Sequence, residues 1–255
     1  MREFLLNVFG TDEGTVEIAL FSIWHILYFV LIVGGTIGSC FLLRNKSNET
    51  KEKVRKILAY LVIGVYIADF FIQPFMSSDY SMNVDKLPFH ICTLMGCLIP
   101  FAQFNKKFDK IKDVICCLSI VASLMYMTYP GSALGGVMPW CYQVIQTFVF
   151  HGLVFAWGVI SLSTGAIKLE FKNIWKELVA IIIIILWASF GNNAYSNENH
   201  HYDWFFITGS TFPFVPTWLM PFAVLAAVYA MCAIIFSIDL MVKKVVAKKT
   251  MNINN

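Results

Sequence analysis

The sequence predicts an all-α membrane protein, a seven-helix bundle with its N-terminus outside the cytoplasm and its C-terminus inside. Three observations predict this. The 255 residues are 58% hydrophobic and 14% charged, with a mean hydropathy of +0.68. A soluble domain is about 45–50% apolar and about 25% charged, so the excess apolar surface here needs lipid as its solvent. Seven segments are long and apolar enough to approach the roughly 20 residues that a span requires. The basic residues, finally, alternate between the loops that separate those segments.

The expected spans are 17–43, 57–76, 87–104, 113–130, 139–164, 177–195 and 217–241. The first, and the run around Ile181–Trp187, are the most apolar, while Pro88 and Pro100 flank the weaker third one. Arg44, Lys46, Lys51, Lys53, Arg55 and Lys56 follow span 1. Lys106, Lys107, Lys110 and Lys112 follow span 3, and Lys168, Lys172 and Lys176 follow span 5. Lys243, Lys244, Lys248 and Lys249 lie in the tail. The intervening loops hold only Arg2 and Lys86. Cytoplasmic loops carry the Lys and Arg excess, and a wrong helix count would scramble the alternation. No basic residue is expected inside a span. Every loop is short, so no soluble catalytic domain is expected and residues 1–255 read as one membrane domain. The opening MREFLLNVFG is too short for a secretory signal and is expected to form an interfacial helix over 3–9. The aromatic, proline-bearing loop 196–216 is expected to lie over, or dip into, the outer mouth.

Ionisable groups in hydrocarbon are costly, and by default they face the interior or a water-filled cavity. His25 falls two turns into span 1. Asp69 and Gln73 fall on one face of the outer half of span 2. His90 and Cys92 open span 3, Gln143, Gln146 and His151 line span 5, and Asn192 and Asn193 end span 6. His151 falls close to mid-membrane and the others belong to the outer half, which predicts a polar pocket open to the outside or the outer leaflet. Asp69 needs a partner, with His25 or His90 as candidates. Gln and Asn side chains also serve simply to bond neighbouring helices. The seven cysteines show no zinc-like spacing. His90 and Cys92 are two apart, so a regular helix would point them about 200° from each other. A Cys–His pair would then draw its histidine from another helix, and His151 is the natural choice.

The segment Leu87-Pro88-Phe89-His90-Ile91-Cys92, the Trp24-His25 pair, the histidine of span 5 and the Asn192-Asn193-Tyr195 cluster resemble the YwaF family of bacterial membrane proteins, which is related to animal transmembrane protein 164. The bacterial members carry Leu where this chain has Phe89. The resemblance implies an acyltransferase that acts on phospholipids through a Cys nucleophile, in the plasma membrane. Cys92 would then be the nucleophile and His151 its base, with His90 assisting. His25, Asp69, Gln73, Gln146, Asn192 and Asn193 would line the substrate pocket. Membrane lipid is both solvent and candidate substrate, and neither a cofactor nor a nucleic-acid partner is expected. Other readings of the same residues remain open. One is a small-solute or ion transporter that uses Asp69 and the histidines as a relay. Another is a bundle whose polar groups only pack. A third is a divalent ion held by His25, Asp69, His90 and His151.

Overall fold

The computed structural model of the chain describes residues 18–76, 84–130, 138–198, 200–209 and 215–253, together with Phe9. The expected interfacial helix over 3–9 lies, apart from Phe9, outside the described residues. The described residues are helical and contain no strand, only the isolated bridge between Asn197 and His200. The helices are α1 (Ile23–Leu43), α2 (Asn48–Met76), α3 (Ile91–Phe104), α4 (Lys112–Thr128), α5 (Tyr142–Ser163), α6 (Trp175–Tyr195) and α7 (Met220–Ile253). Among the described residues six helical stretches are long and apolar enough to cross a membrane, and α3 is a shorter apolar helix of 14 residues.

Two boundaries differ instructively from the sequence expectation. Helix α2 begins nine residues before the expected apolar span, because the Lys-rich stretch is itself helical. Ser47 Oγ accepts the Thr50 amide at 3.2 Å, Glu49 sits in the first turn, and Glu52 pairs with Arg55 one turn on. These are ordinary helix-start stabilisers. Helix α3 begins four residues late. Pro88 disfavours helical backbone at Leu87, and residues 84–86 instead form a 3-10 turn. His90 is extended (φ −78°, ψ 147°) and acts as the N-cap residue. Thr93 Oγ1 donates back to the carbonyls of Leu87 and His90 at 3.1 and 3.0 Å, which holds the turn closed.

The chain forms two compact units, Met1–Ala166 and Ile167–Asn255. In the first, α5 is the hub: it packs against α4, α2, α1 and α3, while α3 also packs against α2 and α4. Glycines permit the closest approaches. A Cβ at Gly96 would sit 2.6 Å from the Phe150 ring, and one at Gly158 would sit 2.7 Å from Ile120 and 3.1 Å from the Cys116 carbonyl oxygen. Helices α4 and α5 bury most of their apolar stretch, whereas α1 leaves most of its own exposed. Tyr28 on α1 stacks on Phe148 and donates to the Pro139 carbonyl at 2.8 Å.

In the second unit α6 packs on α7 and on the 3-10 turn Trp204–Phe206. Asn192 grips that turn at both ends of its amide. Its Oδ1 accepts from the Trp204 amide at 2.7 Å, and its Nδ2 donates to the Trp204 carbonyl at 3.3 Å. Tyr202 stacks on the buried Trp204 ring. Asp203 closes the turn by accepting from the Thr208 amide and hydroxyl, both at 2.7 Å, and from the Gly209 amide at 2.8 Å.

Candidate functional site

In the first unit a group of buried polar side chains lies where α2, α3, α4 and α5 pack. Asp69 is 1% exposed, and it finds a partner that the sequence reading did not name. Lys86 Nζ lies 2.9 Å from Asp69 Oδ2. The contact is an ion pair rather than an aligned hydrogen bond. Tyr142 donates its hydroxyl proton to Asp69 Oδ1 at 2.8 Å. The same Lys86 ammonium donates to Gln146 Oε1 at 2.9 Å, which Thr147 also reaches at 3.4 Å. The Lys86 carbonyl in turn accepts from Tyr66 at 2.7 Å. A lysine that the sequence places in an outer loop therefore folds inward, anchored at its head and its backbone. A signal for it existed: Lys86 is the lone basic residue near the only carboxylate in span 2. An isolated buried charge of either sign is unstable without a partner.

Helix α4 carries the next layer. The Cys92 thiol donates to the Ala122 carbonyl at 3.5 Å, and the His151 ring stacks on Tyr126 with centroids 3.8 Å apart. Ala122 and Tyr126 are four residues apart and therefore neighbours on one helix face. Cys92 and His151 thus rest against the same face of α4, one turn apart, and both are buried. No hydrogen bond joins them. His151 Nδ1 lies 2.7 Å from the Thr147 carbonyl. A carbonyl only accepts, so Nδ1 carries the proton and the neutral ring keeps its lone pair on Nε2. His90 stands outside the helix as its N-cap, so the opposed directions that two helical residues would take do not apply to His90 and Cys92.

The remaining expected residues divide. His25 is fully engaged in packing: its Nδ1 accepts from the Phe21 amide at 3.0 Å, and its Nε2 donates to the Met127 carbonyl at 2.8 Å. Gln146 belongs to the Lys86 cluster, and Gln73 is half-buried further along α2. Asn192 and Asn193 belong to the second unit. Asn192 is committed to the Trp204 backbone, and Asn193 is exposed. Among the described residues no group of three or more His, Cys, Asp or Glu could hold a metal ion.

Several apolar helices of membrane-crossing length, with a polar cluster buried among the first five, define a multi-pass membrane protein. The model of the TMEM164 family matches residues 20–242. The chain belongs to that family. Comparison with curated proteins and with solved structures finds no match.

Proposed function

We propose that the protein is a membrane-embedded acyltransferase for phospholipid-like substrates, with Cys92 as nucleophile and His151 as general base. The observation that carries the proposal is the placement of Cys92 and His151 one turn apart on one face of α4. His151 holds its Nδ1 proton on Thr147, so its Nε2 can take the thiol proton. The thiol turns from Ala122 and loses its proton to Nε2, and its sulfur adds to the ester carbonyl carbon. Collapse of the adduct breaks the ester C–O bond, and the departing alkoxide takes the proton from His151. The acyl group remains on Cys92 as a thioester. An acceptor hydroxyl then yields its proton to Nε2 and attacks the thioester, and the sulfur leaves and recovers the proton. His90 orients groups around this pair, and Gln73, with the Asp69–Lys86–Gln146 cluster, borders the substrate. The same reading includes seven spans with α3 as the third, an outer N-terminus, a cytoplasmic C-terminus, the plasma membrane and the YwaF-like character of residues 87–92. The alternation of basic loops supports the orientation.

Hexadecyl iodoacetamide, a lipid-like alkylating probe, tests the pair. Peptide mass spectrometry of the purified, folded protein should find the label on Cys92. Cys92→Ala should remove it, and His151→Ala should slow it at least about tenfold, as expected when a general base is lost. A folded wild-type protein unlabelled at Cys92 would remove the basis of the mechanism.

A further inference from the structure

Several helical serines and threonines in this protein donate their hydroxyl to the carbonyl four residues back. Ser39, Ser119, Thr128, Ser189 and Ser237 all do so, at 2.6–2.9 Å. Ser123 does not. It is 0% exposed, and its Oγ has no hydrogen-bond partner among the described residues. A buried hydroxyl left without a partner costs about 1–3 kcal/mol, and the ordinary remedy lies one turn away at the Ser119 carbonyl.

Its position is informative. Ser123 directly follows Ala122, whose carbonyl holds the Cys92 thiol. It precedes by three residues Tyr126, on which His151 stacks. Ile120, three residues earlier, packs against Gly158 of α5. At about 100° per residue, Ser123 falls midway between the directions of Tyr126 and Ile120. Both of those face α5, so Ser123 faces the α4–α5 seam beside the Cys92–His151 pair.

We propose that Ser123 donates its hydroxyl proton, as a hydrogen bond, to the carbonyl oxygen of the acyl group under attack by Cys92. The proposal rests on the acyl-transfer reading above and supplies the donor which that reading lacks. Negative charge develops on that oxygen as the sulfur adds, and a fixed donor in a dry site stabilises it. Ser123 bonds no atom covalently and keeps its proton throughout.

Two probes separate this role from a structural one. Alkylation of Cys92 by hexadecyl iodoacetamide displaces iodide at a saturated carbon and forms no oxyanion. Acylation by para-nitrophenyl palmitate passes through one and releases a measurable burst of nitrophenolate. In full-length protein, Ser123→Ala should lower the acylation rate on the order of a hundredfold. It should leave the alkylation rate unchanged and the melting temperature unchanged or higher, since it deletes an unsatisfied hydroxyl. Ser161 is the control. It is equally buried with an unpartnered hydroxyl, but lies ten residues, about 15 Å, along α5 from His151, and Ser161→Ala should alter neither rate. Acylation at the wild-type rate in Ser123→Ala overturns the proposal, as does an equal fall in both rates. Wild-type protein that reacts with neither probe at Cys92 overturns the underlying Cys–His reading as well.

Discussion

Without the Lys86 ammonium, the buried Asp69 carboxylate would lose its countercharge and keep the Tyr142 hydrogen bond. Breaking one side of a buried pair is more damaging than removing both. Lys86→Met should therefore lower the stability of the detergent-solubilised protein by about 3–5 kcal/mol, read as a fall in melting temperature. Adding Asp69→Asn should recover part of the loss. Additive loss in the double variant would show that the two charges are not coupled. At this scale the sequence disclosed the need but not the solution. A carboxylate in an apolar span announces a missing cation, yet the histidines drew attention because they lie in spans. Lys86 lies seventeen residues on, in a loop where a basic residue reads as a topological charge. Similarly, His25 and His151 look alike as lone histidines in apolar helices. Only the backbone groups they meet distinguish a ring committed at both nitrogens from one with a lone pair to spare.

The existence of the helices was legible in hydropathy, because each apolar stretch exceeds what a soluble turn or strand would hold. Their starts were less so. The first turns of α2 are charged, and the Leu87-Pro88 step displaces the start of α3 into a capped turn. The tight seams were not legible at all, since a glycine in an apolar run carries no mark of what approaches it. Gly96→Ala should force the Phe150 ring aside and destabilise the protein by about 1–3 kcal/mol. Phe150→Leu in the same chain should relieve the clash. Gly158→Ala should be at least as damaging, because one of its neighbours is the backbone oxygen of Cys116, which has less room to give. Gly35→Ala meets open space and should be neutral or slightly stabilising, as helix propensity favours alanine. Thermal melts of the four variants check all of these expectations. Equal melting temperatures for Gly35→Ala and Gly96→Ala would contradict the packing described.

For the whole molecule, the distribution of 19 basic residues carries the orientation proposed above, a property no single helix contains. Green fluorescent protein fused at the C-terminus should fluoresce, and alkaline phosphatase fused there should be inactive. The reverse pattern would invert the topology and place the Cys92 end of α3 on the cytoplasmic side. The division into two units, by contrast, was invisible in the sequence, where every loop is short and no change in composition marks Ala166. The 14 residues of α3 have a further consequence. They rise only about 21 Å, against a hydrocarbon slab about 30 Å thick. With Phe104 level with one slab boundary, the first turn of α3 stops roughly 9 Å short of the other. Taken as a span, α3 would have its capped start at His90–Ile91 inside the slab rather than at its edge, and the backbone groups of the turn before it would then need partners from the protein, as Thr93 supplies for the Leu87 and His90 carbonyls.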